Sequence, residues 1–150
     1  MVRKWLIGTI APLFLISAVS ATPPSRYGLG LMLPDPTGLS AKAWLLGSTA
    51  VAGGLGWSAE KNHYLHLHAD LLWTALHLEP GRELALDFYL GAGSKIIFRD
   101  HDKAWLRIPL GMEFLSSRSP FNIFFEVVPS YNFSKFRLLG AVGFRTIFTR

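Results

Sequence analysis

The chain has no cysteine, so it can build neither a disulfide framework nor a thiolate metal site, and cysteine usage is silent on the redox compartment. Charge is sparse as well. Asp, Glu, Lys and Arg make up 17% of the 150 residues, against 50% hydrophobic. The formal net charge is +5, and it falls to about +3 if Arg3 and Lys4 leave with a leader segment. No Lys/Arg run and no basic helix occurs, which excludes nucleic acid as an expected partner. After the N-terminus there is no long unbroken apolar run and no helical period. The length suits one domain.

The N-terminus reads as an export signal. Met1-Val2-Arg3-Lys4 is a positive n-region, residues 5–16 form an apolar h-region, and Val19-Ser20-Ala21 offers small residues for a signal peptidase. An anchor helix needs about 20 apolar residues, more than this run supplies. Cleavage is expected after Ala21, leaving residues 22–150 as a single domain.

What the mature chain does have is period-two alternation. Residues 26–33 set Tyr27, Leu29, Leu31 and Leu33 against Gly28, Gly30 and Met32. Residues 39–46 and 50–57 continue the rhythm, separated by a Pro34-Asp35-Pro36-Thr37-Gly38 turn and a Gly47-Ser48-Thr49 turn. Five more runs follow at 63–76, 84–98, 105–114, 121–128 and 136–148. The pattern predicts an all-β chain of eight antiparallel strands in an up-and-down barrel. Pro109 and Pro129 fall inside strands, where each removes a ladder donor, so bulges are expected there.

Volume decides which face is outside. The lumen of an eight-stranded barrel is only wide enough for side chains to fill it. One row carries Leu, Ile, Val, Phe and Trp on strand after strand. The other carries glycines together with Lys42, Asp70, Asp87, Lys95, Arg107, Glu113, Glu126, Arg137 and Arg145. The small and charged row therefore belongs inside and the bulky apolar row faces lipid, where a charge at the midplane would cost about 2–4 kcal/mol. Tyr27, Trp73, Phe121 and Phe148 gather toward one rim and Trp57, Phe98 and Phe136 toward the other, as interfacial girdles do.

The runs YGLGLMLPDPTGLSAKAWL, GGLGWS, LHLHADLLW, RIPLGMEF and FFEVVP resemble a family of small, largely uncharacterised outer-membrane β-barrel proteins of OmpA/OmpX-like architecture. The resemblance spans nearly the whole mature chain. It implies the fold and the outer membrane as location, and brings no catalytic residues with it. Two features depart from the pattern: Pro34 precedes Asp35 in the first turn, and Thr149-Arg150 follow the last aromatic, Phe148.

Candidate chemistry is limited. His66-x-His68-x-Asp70 places two imidazoles and a carboxylate on one strand face, a possible Zn²⁺ ligand set. Ser58, His63 and His101 with Asp100 and Asp102 lack a diagnostic spacing for nucleophilic catalysis and read as solvated loops. Asp87 and Glu126, as paired carboxylates, have basic inward neighbours that favour ionisation of both. The expectation is a non-catalytic barrel with a closed, polar lumen and no cofactor. Its partners would be outer-membrane lipid and, during biogenesis, the barrel assembly machinery, with the protein monomeric. A narrow channel is the alternative, followed by a membrane-embedded lipid-modifying enzyme and, last, a soluble lipocalin-like carrier. With periplasmic termini, the turns near residues 34–37, 60–62, 100–103 and 134 would face outside.

Overall fold

A computed structural model describes residues 26–34, 37–45, 47–57, 64–98 and 103–149. The leader with its cleavage point, and the loop residues Ser58, His63, Asp100, His101 and Asp102, lie outside the described residues. Nine strands follow in order: β1 Arg26–Pro34, β2 Thr37–Trp44, β3 Thr49–Trp57, β4 Leu65–Gly81, β5 Leu84–Phe98, β6 Lys103–Arg107, β7 Leu110–Ser116, β8 Phe121–Tyr131 and β9 Phe136–Thr149. Every ladder is antiparallel, β6 and β7 run in the same direction one after the other, and β9 returns to pair with β1 from Arg26↔Thr149 to Pro34↔Ala141. The sheet thus closes on itself, with β6 and β7 occupying one position of an eight-membered ring.

Two sequence expectations need correction here. The sixth run is interrupted at Ile108–Pro109, and no bulge accompanies either proline. Leu90↔Leu110 and Gly93↔Arg107 keep one register on β5, and Leu110↔Val127 and Arg107↔Ser130 keep one register on β8. Both prolines retain their carbonyls as acceptors: Gly91 N–H donates to Pro109 O (2.9 Å) and Ile108 N–H donates to Pro129 O (2.9 Å). Only the donors are missing, and the register is held from both sides, so no extra residue is needed. The register shifts lie elsewhere, in the β4–β5 hairpin between Thr74 and Leu76 and between Leu78 and Gly81. That hairpin is also longer than the sequence pattern indicated, because β4 runs on to Gly81.

The register fixes the geometry of the ring. Cross-strand partners of Arg137 lead through Ser130, Arg107, Gly93, Asp70, Ala52, Lys42 and Gly28 back to β9 at Ile147, ten residues further along. A stagger of this size in eight strands tilts them by about 40° and sets a bore that side chains fill. Outward residues form an apolar wall: Leu29, Leu67, Leu106, Ile123, Phe144 and their neighbours are all exposed. Both aromatic groups lie on this outer wall, with Trp57, Leu65 and Phe98 abreast at one rim and Tyr27 beside Phe148 at the other. The buried residues are the inward ones.

Inward glycines are clearances. A Cβ at Gly30 would run directly into the Phe144 carbonyl, whereas one at Gly81 would meet nothing. Gly30→Ala should therefore lower unfolding free energy by about 1–3 kcal/mol, while Gly81→Ala should change it by less than about 0.5 kcal/mol. Urea titration followed by the mobility of the folded gel band checks both.

Candidate functional site

The inward row is a connected set of polar side chains. Glu113 on β7, fully buried, accepts from the Lys42 ammonium and from Asn122 Nδ2 (2.7 Å). Arg145 Nη1 lies 3.6 Å from the same carboxylate, and Arg145 Nε donates to Ser40 Oγ (2.9 Å). Lys42 is on β2, and β2 and β7 stand on opposite sides of the ring, so this ion pair crosses the lumen. A second pair joins Arg107 Nε to Asp70 Oδ1 at 3.0 Å, both side chains almost wholly buried. Charge-assisted contacts of this kind are the strong class of hydrogen bond. Their net contribution to stability is small, because desolvation opposes the attraction, but losing one partner strands the other.

The glycines explain how these groups reach one another. Gly93 stands in register between Asp70 on β4 and Arg107 on β6, and a Cβ there would overlap the Asp70 side chain. Gly111 stands likewise between Tyr89 and Glu126. The Tyr89 hydroxyl passes over it to donate to Glu126 Oε1 (2.8 Å). Gly30 separates Arg145 from Ser40 in the same way. A long side chain, a bare backbone and a partner two strands away recur as a unit.

Toward each end of the lumen an inward tryptophan lies under a guanidinium. Near the termini, Arg26 lies 4.3 Å from the Trp44 ring centre, with the Lys42 ammonium at 4.7 Å from that ring and 4.8 Å from the Tyr89 ring. At the far rim Arg137 lies over Trp105 at 5.3 Å. These are cation–π distances. Arg145 stacks on Phe124 at 3.7 Å in the interior.

Of the nine charged residues read from the sequence as one interior network, seven are buried in the barrel interior and Glu126 is half-buried there. Arg137 does not join the buried set; it is exposed at the rim, because β9 outruns its neighbour β1 there. Asp87 is engaged by His77, an exposed residue that also approaches Glu79 (3.4 Å). Arg107 pairs with Asp70. Lys95 is buried opposite Trp105 and His68. His66, His68 and Asp70 share the inward face as expected, yet they do not converge. His68 Nε2 is 3.9 Å from Asp70 Oδ2, the other Asp70 oxygen is turned to Arg107, and His66 packs beside the Tyr64 ring at 6.1 Å. Among the described residues no three side chains assemble a metal site. Sequence reasoning passed over Ser40, Tyr89 and Asn122, which parity alone places on the inward face.

No protein-family model and no curated protein matches the sequence. Among solved structures, the chain is similar to the crystal structure of the N-terminal β-barrel domain of Pseudomonas aeruginosa OprF. The match has a TM-score of 0.59 and 16% identity over 82% of this chain and 96% of that one. At that identity the likeness is one of fold: the OmpA/OmpX-like barrel expected from the sequence is the architecture observed.

Arg107→Ala leaves Asp70 buried without its cation and should cost about 3–5 kcal/mol, with much of that regained when Asp70→Ala is added. Unfolding midpoints of the two single variants, the double variant and the parent form a cycle that measures the coupling.

Proposed function

We propose that this protein is an integral outer-membrane barrel, exported by a cleaved signal peptide, with a lumen filled by its own side chains. In this reading its role is structural or interactional and no catalysis takes place in the barrel. The observation that carries it is the Lys42–Glu113 pair, which spans the lumen between opposite walls inside an apolar exterior. A water-filled pore needs a continuous hydrated path, and this pair stands across it, with the inward Trp44 and Trp105 toward the two ends.

The exterior argues for lipid as the solvent of the wall. A closed ring satisfies its backbone groups internally, the condition for crossing a bilayer with strands. Large apolar residues cover the outside from rim to rim, far more than the few hundred Å² that soluble monomers expose as a patch. With the termini in the periplasm, the far rim faces the cell exterior through short turns, which confines any recognition to that rim.

Two measurements test this reading. Wild-type protein in planar bilayers should pass no steady current; a stable conductance would favour the narrow channel instead. Phe125→Arg, on the outer wall, should destabilise the barrel folded into vesicles by about 2–4 kcal/mol, whereas a water-facing wall would tolerate it.

A further inference from the structure

The half of the lumen away from the chain termini is furnished differently from the rest. Lys95 on β5 stands in register between His68 on β4 and Trp105 on β6, and Arg107 follows two residues along β6. All four face inward, and none is more than 6% exposed. Arg107 and Lys95 both act electrostatically on the His68 ring. Three neighbouring strands thus gather two cations, an indole and an imidazole into one buried patch. Beside it the wall is bare. Gly56 on β3 is the partner of His66 on one side and of Gly38 on the other, so neither β2 nor β3 sends a side chain in at that level.

Three buried nitrogens of this patch have no hydrogen-bond partner: Trp105 Nε1, Arg107 Nη1 and His68 Nδ1. The contacts already described do not reach them. Arg107 binds Asp70 through Nε, and the Arg137 guanidinium over the Trp105 ring is itself a donor. Indole and guanidinium nitrogens only donate, and a buried donor left unmet is costly. What they require is an acceptor. The imidazole nitrogen suits either role, according to its tautomer.

Charge narrows the kind of acceptor. Asp70 is the carboxylate that reaches the patch, and one of its oxygens is taken by Arg107. The other inward acids have donors of their own: Lys42 and Asn122 for Glu113, His77 for Asp87, and Tyr89 for Glu126. Glu126 comes near enough to act on Asp70, but its Oε1 accepts from the Tyr89 hydroxyl. Lys95 and Arg107 therefore share one carboxylate, and buried charge is costly unless it is balanced. A neutral acceptor would meet the donors and leave that imbalance. A singly charged one meets both, whereas a divalent oxyanion overshoots the charge and is bulky for a bore that side chains fill.

We infer that this half of the lumen is a binding site for a small monovalent inorganic anion of the halide class. The Trp105 indole N–H and the Arg107 guanidinium hold it, and the Lys95 ammonium supplies the balancing charge. Arg137, exposed at the rim over Trp105, gives the approach a positive sign. The inference rests on the closed-lumen reading above and names what that interior holds.

Bromide is the probe, because it scatters X-rays anomalously where a chloride would sit. Crystals of the full chain folded in non-ionic detergent and soaked in sodium bromide should show an anomalous peak within hydrogen-bonding reach of Trp105 Nε1 and Arg107 Nη1. In solution, bromide replacing gluconate at constant ionic strength should raise the melting temperature, and the rise should saturate as ligand linkage requires. Trp105→Phe keeps the ring and removes the N–H. Half-saturation should then need roughly tenfold more bromide, the loss of one charge-assisted hydrogen bond. Lys95→Gln should abolish the saturable rise, while Trp44→Phe, toward the other end of the lumen, should leave half-saturation where it was. Bromide peaks confined to the surface, an adventitious ion only, would overturn the inference. So would equal melting in bromide and gluconate, as for donors met by water, or a rise that Trp105→Phe and Lys95→Gln leave untouched. A stable current through wild type in planar bilayers would instead sink the closed-lumen reading, a result that no bromide titration can produce.

Discussion

Ring closure is the constraint on which everything else depends. Once β9 pairs with β1, the number of strands and the ten-residue stagger fix the bore, and nothing inside can be wider than that bore allows. A lumen so narrow brings groups on opposite walls within reach, which is why Lys42 on β2 and Glu113 on β7 meet although 71 residues separate them in sequence. The same closure gives every described strand of the ring a neighbour on both sides. The outer wall is then free to be apolar, and the polar groups have one place to go.

Inside that bore, steric clearance and electrostatics are the same problem. Arg107, Arg145 and Tyr89 are too large to sit shoulder to shoulder with neighbours of their own size. Each extends across a glycine to a partner on the second strand along. The ion pairs offset their own desolvation and add little beyond it. What they supply is specificity, since a strand slipped by one residue would turn its charges into the apolar wall.

Much of this was legible in the chain because parity is a strong signal. Alternation assigned the faces of His66, Asp70, Lys95 and Arg145 without any knowledge of their neighbours, and the mismatch in bulk between the two rows gave inside from outside. Three things were not legible. Pro109 and Pro129 announced trouble in the ladder, but whether a strand bulges or merely loses donors depends on the register of both flanking strands. The choice of partner, Glu113 for Lys42 and Asp70 for Arg107, depends on the stagger, which no single strand encodes. Arg137 has the parity of an interior residue, yet its level above the end of β1 puts it in the open. For the same reason the His66-x-His68-x-Asp70 pattern suggested ligands: spacing shows a shared face, while Arg107, arriving from another strand, engages one of the two Asp70 oxygens.

The three-strand units have a bearing on how such a chain can change over generations. On the outer wall one apolar residue replaces another with little consequence, so that face is free to drift. In the lumen an Asp70, a Gly93 and an Arg107 form one inherited word spread over three separated stretches of sequence. A larger residue at the glycine would meet the backbone of Ala69 and Asp70 as well as the Asp70 carboxylate, and a charge lost on its own strands its counterpart in the bore. Relatives of this protein would keep or replace such triplets whole, and the interior would carry the slow-changing record of descent while the exterior loses it.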